Sequence, residues 1–306
     1  MTAIALTALP ALGDVQQVMF GADINANQID VFNVSGQLVT TFGDASLNTP
    51  QGIAQGAGGV IYVGGNQGYV EKYSSTGLYL GDFANPNNST QITGVAADSS
   101  GDVYVTSGRN IYEYNSAGTL TNSYSESGSV NQLVGVGLNN AGDVFATSTS
   151  AGGVYTLFEF NSSLNPISSY NIPAPSWYPY TVALTNDGYA FTTDDAYGVS
   201  NEINLTTGAG TTFGAGSAAV AVAVDNAGLY APGNDLFFST FPGIVETTES
   251  GTVIETIDLS NNRPQSLAFG YYDTPATPEP GNWAMLTGLT VAGSVFAHRR
   301  LVRRRK

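Results

Sequence analysis

One arrangement of apolar and polar positions recurs five times along the chain. A short apolar run leads into a turn of Asp, Asn or Ser that ends in Gly, and a second apolar run carrying an aromatic follows. The copies are residues 51–63, 93–105, 134–146, 181–191 and 222–230, and the third reads Val134-Gly135-Val136-Gly137-Leu138-Asn139-Asn140-Ala141-Gly142-Asp143-Val144-Phe145-Ala146. Asn and Asp hydrogen-bond their own backbone in turns, and Gly accepts positive φ, so each copy predicts a β-hairpin. The turn glycines Gly59, Gly101, Gly142, Gly188 and Gly228 are spaced by 42, 41, 46 and 40 residues. That period matches the roughly 40–45 residues of a four-stranded propeller blade.

A second hairpin follows the first in each unit. In one unit it is Tyr69-Val70-Glu71-Lys72-Tyr73, the turn Ser74-Ser75-Thr76-Gly77, and 78–83, and the layout recurs at 111–120 and earlier at 29–39. Alternation of apolar and polar residues on these runs is the period of a half-buried strand. Five units are expected at 50–83, 91–124, 133–170, 180–213 and 218–257. Residues 15–42 supply only the later strands of a unit, and Pro264-Gln265-Ser266-Leu267-Ala268-Phe269 reads as an isolated first strand. Joined, the two ends make a sixth blade and remove the open sheet edges that invite aggregation.

Pro50-Gln51-Gly52-Ile53-Ala54 and Val60-Ile61-Tyr62-Val63 resemble the NHL-repeat family of six-bladed β-propellers, over about residues 15–270. The Asp-x-x-Asn-x-Arg segment usual in that family is replaced by Gly64-Gly65-Asn66-Gln67-Gly68 and Ser107-Gly108-Arg109-Asn110. The expected fold class is all-β, a six-bladed β-propeller closed by its N- and C-terminal strands, plus a short C-terminal transmembrane helix. A solenoid or a seven-bladed ring is the alternative. The expected domains are 1–13, a possible truncated signal peptide; 14–271, the propeller; 272–282, a Pro-rich linker; and 283–306, a membrane segment with a basic tail. Residues 3–12 are apolar and Ala11-Leu12-Gly13 offers small residues to a signal peptidase, though no Lys or Arg precedes them. A disordered lead-in or one more strand is the other reading of 1–13.

Composition narrows the chemistry. Apolar residues are 42% of the 306 and charged residues only 11%, below the roughly 25% usual for soluble domains. There is no Cys, so no disulfide, thiol nucleophile or cysteinyl metal site, and His298 is the single histidine. All 24 acids precede residue 280, where Lys72, Arg109 and Arg263 are the only bases, giving that stretch a net charge of −21. Phosphate backbones should repel it, which argues against nucleic acid as a partner.

The other six bases, Arg299, Arg300, Arg303, Arg304, Arg305 and Lys306, close the chain. They follow an uncharged run at 283–297 and the linker Thr274-Pro275-Ala276-Thr277-Pro278-Glu279-Pro280. As a helix the run would reach about 22 Å against a hydrocarbon core of about 30 Å, a gap that tilt and thinning partly close. Terminal bases favour retention on the cytoplasmic side, with the preceding domain outside. Pro-Glu-Pro, a short apolar helix and an Arg-rich end, in that order, resemble the PEP-CTERM sorting signal of bacterial surface proteins. The resemblance implies export, transient membrane retention, and processing by an exosortase-type enzyme that reads Pro278, Glu279 and Pro280. An amphipathic core helix with a solvated basic end is the competing reading of this segment.

No Gly-x-Ser-x-Gly elbow, P-loop or dinucleotide fingerprint is present, and no histidine base lies in the body. Asp98, Asp102, Asp143, Asp187 and Asp225 fall in turns, where Asp serves geometry. Asp194 and Asp195 form the only adjacent acidic pair and are weak candidates for calcium, a solvated loop being the alternative. Trp177, Tyr178 and Tyr180, between the third and fourth units, suit sugar or polymer recognition, or pack as core over a blade junction. Two function classes remain: a non-catalytic exported module binding a polysaccharide or envelope protein without cofactor, and an exported metal-assisted hydrolase, lyase or lactonase. The second would need three or more Asp, Glu or Asn side chains converging on the axis.

Overall fold

A computed structural model describes residues 15–33, 35–86, 91–150, 152–173, 178–194, 199–214, 219–226, 234–240, 243–259 and 264–274. The chain ends, with the linker motif, apolar run and basic tail, lie outside the described residues, as do Trp177 and Asp195.

The strands follow the repeat. β1 (Val15–Asp23), β2 (Gln28–Asn33) and β3 (Leu38–Phe42) come first. Blade 2 is β4 (Pro50–Gln55), β5 (Ile61–Gly65), β6 (Val70–Tyr73) and β7 (Tyr79–Ala84). Blade 3 is β8 (Ile92–Ala97), β9 (Val103–Ser107), β10 (Asn110–Tyr114) and β11 (Leu120–Ser125). Blade 4 is β12 (Val130–Leu138), β13 (Val144–Ser150), β14 (Thr156–Phe160) and β15 (Pro166–Asn171). Blade 5 is β16 (Pro179–Leu184), β17 (Tyr189–Asp194), β18 (Val199–Asn204) and β19 (Gly210–Gly214). Blade 6 is β20 (Ala221–Val224), β21 (Leu236–Ser239), β22 (Gly243–Thr247) and β23 (Val253–Asp258). The last strand, β24 (Leu267–Asp273), pairs with β1 and completes blade 1 in the order β24-β1-β2-β3. Ala22 N donates to Ser266 O at 3.0 Å and Gln265 N to Ala22 O at 2.8 Å, so the two ends of the repeat array meet in one sheet.

Residues Gln17–Tyr272 form one compact unit. Its core falls into six clusters, one at each junction of neighbouring blades. Five join consecutive blades, and the sixth packs Ala221, Phe237 and Ile244 of blade 6 against Met19, Phe32 and Leu267 of blade 1. An open arc of six sheets has five such junctions; six make a closed six-bladed β-propeller. Second strands are buried on both faces, which is why they read as continuous apolar runs: Val103 and Val105 face blade 2 while Tyr104 between them faces blade 4.

Turn chemistry is the expected one. Gly59, Gly101, Gly142 and Gly188 have φ between 76° and 93°, a region L side chains rarely enter. Asp98 Oδ1 accepts from the amides of Ser100 and Asp102 at 2.9 and 2.8 Å, and Asn139 Oδ1 accepts from those of Ala141 and Asp143, both at 2.9 Å. Blades 3 to 5 are also stitched forward by buried hydroxyls. Thr106 Oγ1 donates to Val134 O at 2.6 Å, Thr147 Oγ1 to Pro179 O at 2.7 Å, and Thr193 Oγ1 to Val220 O at 3.1 Å.

No α-helix occurs among the described residues, and none of their helices is long and apolar enough to cross a membrane.

Candidate functional site: the axial channel and its mouths

The innermost strands converge because their glycines leave room. A Cβ on Gly94 would sit 2.6 Å from Val134 O and 2.9 Å from Val136 N, and one on Gly52 would sit 2.7 Å from Val95 N. The residue after each of these positions turns toward the axis. Ile53, Val95, Val136, Val182, Val222 and Leu267, one from each blade, line a throat of only about 50 Å³. All six are buried. The six form an aliphatic collar, with Gln51, Thr93, Tyr180, Thr181 and Ser266 beside it and no charged side chain among the described residues that line the throat.

Beyond the collar, toward the first-hairpin turns, the channel widens to about 260 Å³ and then opens into a mouth of about 640 Å³. Amides and carboxylates gather at this mouth, and backbone groups hold several of them in place. Gln55 Nε2 donates to Tyr271 O at 2.7 Å and to Gly59 O at 3.1 Å, and its Oε1 accepts from Tyr271 N at 2.7 Å. The side chain thus pairs with both backbone groups of Tyr271 as a neighbouring strand would, tying β24 to blade 2. Asn226 Nδ2 donates to Leu184 O at 2.7 Å and its Oδ1 accepts from Asn186 N at 3.2 Å, bridging blades 5 and 6. Asp98 and Asp225 also face the mouth, the first braced in its turn and the second 1% exposed. Tyr271 is 47% exposed on the same rim.

The opposite, narrow end holds one sequence-predicted aromatic. Tyr180 lines the throat beside Thr93 and Gly135. Tyr178 lies against it, ring centroids 4.6 Å apart and planes at 42°, and burial, then Tyr180, pushes the Tyr178 phenol up. These two tyrosines therefore sit where β16 enters the ring, half-buried. Asp194 corrects the solvated-loop expectation: it ends β17 fully buried, and its Oδ2 accepts from Tyr178 N at 2.9 Å. Its carboxylate thus serves as the partner of the Tyr178 amide just before β16, whose register on β17 shifts between Pro179 and Val182. Among the described residues no group of three His, Cys, Asp or Glu could hold a metal ion.

A separate groove of about 660 Å³ between blades 3 and 4 is lined by Asp98, Asp102, Tyr104, Glu113 and Asn139. Of its carboxylates, Glu113 accepts from Asn122 Nδ2 at 2.6 Å through Oε2, and burial, then Asp98, pushes the Asp102 carboxyl up.

A family described as Beta-propeller repeat matches residues 77–107, from the last turn of blade 2 through β9. The fold is a β-propeller of six blades. No curated protein matches the chain. Among solved structures, a protein of unknown function from Bacteroides caccae is similar at TM-score 0.66 and 13% identity, over 83% of this chain and 98% of that one. Virginiamycin B lyase from Staphylococcus aureus, as a catalytically inactive histidine-to-alanine variant with quinupristin, is similar at TM-score 0.58 and 18% identity, over 73% and 77%. U3-55K is similar at TM-score 0.61 and 12% identity, over 87% of each chain. At such identities these likenesses speak for the propeller alone.

The sequence singled out Trp177, Tyr178 and Tyr180 as candidate binding aromatics and did not single out Gln55 or Tyr271, which line the wide mouth. The repeat carried a signal: Gln55 stands where the next two copies have Ala97 and Leu138, a polar residue at an otherwise apolar position.

Proposed function

We propose that the chain is an exported cell-envelope or extracellular protein whose propeller is a non-catalytic binding module. The aliphatic collar carries the reading, because an enzyme of the axial-metal type needs carboxylates or imidazoles there to hold the metal, and none is among the described residues that line the throat. Backbone groups brace Gln55 and Asn226 at the wide mouth, which suits a rigid receptor. The lyase with the solved structure loses activity when one of its histidines becomes alanine. The single histidine of this chain is His298, beyond the propeller.

Delivery rests on the C-terminal segment. Pro278, Glu279 and Pro280 are the motif read by an exosortase-type enzyme, 283–297 the membrane segment, and the bases from Arg299 to Lys306 the stop that keeps the tail on the cytoplasmic side. The acidic body then faces outward, away from nucleic acid.

Mass spectrometry of the mature protein in its own host tests this. A terminus near Pro280 in an envelope or medium fraction is expected, with Glu279→Gln altering processing. An intact Lys306 on cytoplasmic protein would refute it.

A further inference from the structure

We infer that the wide mouth between Gln55 and Tyr271 is the binding surface, and that it takes a neutral saccharide chain. This rests on the binding-module reading and adds the ligand class and the end of the channel that receives it.

The mouth has the parts that a sugar ring requires. Sugars present apolar C–H faces and a rim of hydroxyls, so their receptors pair an aromatic surface with planar polar groups fixed in advance. Tyr271 supplies a half-exposed aromatic, with Phe269 beneath it on the same strand. Gln55 pins both backbone groups of Tyr271, so the rim does not have to be ordered when ligand arrives. Gly270 makes that clamp possible, since a Cβ there would lie 2.3 Å from Gln55 Oε1. The facing wall is the turn at 56–59, where exposed Ala57 and Gly58 leave room for a ring to approach, with no atom within 4 Å of a Cβ built on Gly58.

Charge selects the class. Asp98 and Asp225 are the carboxylates at the mouth, and no Lys or Arg is among the described residues that line it. Uronic acids, phosphates and nucleotides would meet only repulsion there, whereas carboxylates and amides accept and donate to hydroxyls. The volume of about 640 Å³ falls within the range of small-ligand clefts. The far end offers about 50 Å³, too little for a ring.

Affinity electrophoresis of the full chain through gels containing laminarin, dextran or xylan, with alginate as the acidic comparison, tests the inference. At least one neutral polymer should retard the protein, and alginate should not. Tyr271→Ala should weaken that retardation about tenfold. Ala57→Trp, which fills the mouth from an exposed position, should weaken it comparably, and Tyr180→Ala should behave as the parent, all with unchanged melting temperatures. Retardation by alginate alone, by no polymer, or undiminished in both mouth variants overturns the inference. Loss confined to Tyr180→Ala also overturns it but leaves a binding module standing, whereas shortening of the polymer by the parent protein would sink the non-catalytic reading and spare the mouth.

Discussion

Replacing Thr147 by Val removes one hydroxyl and keeps the shape of the side chain. Thr147 is fully buried; its Oγ1 accepts from Gly135 N at 2.9 Å within blade 4 and donates to Pro179 O at 2.7 Å in blade 5. The variant leaves one amide and one carbonyl without a partner in a place water does not reach. Each such orphan costs about 1–3 kcal/mol, so about 2–6 kcal/mol is expected for the pair. In a domain of this size that lowers the melting temperature by roughly 4–24 °C. Urea unfolding followed by tyrosine fluorescence, with thermal melting in parallel, reads the change. Thr41→Val on the exposed edge strand β3 is the comparison and should stay within about 0.5 kcal/mol of the parent. If Thr147→Val matches that comparison, the hydroxyl stitches do not hold the blades together.

Gly94→Ala forces a Cβ against the backbone of blade 4 and should cost about 1–3 kcal/mol by urea unfolding, while Gly152→Ala, with only Ser150 Oγ at 3.8 Å, should cost under about 0.5 kcal/mol. Equal costs would mean that the inner strands have slack. Gln55→Ala should raise hydrogen exchange across residues 267–272 without raising it in blade 4, because the closing strand loses its bonds to blade 2; unchanged exchange would dismiss the clamp. The pH dependence should run opposite to that of most proteins. Burial first, with neighbouring carboxylates adding, holds Glu71 and Glu246 above their ordinary value of 4.5 and Asp235 above 3.8. A raised folded-state pKa gives stability that is full below the ordinary value and is lost as pH rises through the folded one. Asp44, lowered chiefly by the Ser46 hydroxyl, and Glu126, lowered against its burial by the Tyr124 hydroxyl and backbone amides, work the other way but are outnumbered by the raised carboxyls, which also include Asp102 and Glu202. The melting temperature should therefore be higher at about pH 5 than at about pH 8, and the reverse order would refute the assignment.

The blades were legible because their signals are local. Five units expected at 50–83 through 218–257 correspond to sheets at 50–84, 92–125, 130–171, 179–214 and 221–258. The shared sixth blade was legible by counting incomplete units, although its closing strand starts at Leu267 rather than at Pro264. What the sequence hid is long-range. The hairpin glycine of Gly36, Gly77, Gly118 and Gly251 is Leu164 in blade 4, at φ 58°. Its side chain is buried among Phe160 and Ile111, so packing across a junction offsets a strain that local turn rules would forbid. Asp194 was misplaced for the same reason: two adjacent acids read as a solvated loop, and only the register of β16 on β17 shows that the first is needed inside. Gln55 and Tyr271 are 216 residues apart, and no periodicity connects them.

That last pair bears on how a nearly symmetric ring acquires a direction. Five copies of one hairpin give five similar turns, and similar turns cannot by themselves favour one side of a mouth. Four of the five hairpins that open a full blade have connections of four or five residues between their strands; in blade 6 the connection from Val224 to Leu236 takes eleven. The adjoining sheet is the composite one, where β24 brings Tyr271 and the Gln55 clamp. Closure thus places Asp225 and Asn226, where that connection leaves β20, and the exposed aromatic around the same mouth, while the opposite end keeps its glycines and its collar. The seam that completes the fold is also the part of the ring most free to differ from the other blades, since its two halves come from opposite ends of the repeat array. Recognition concentrated there would leave the repeat itself free to serve packing.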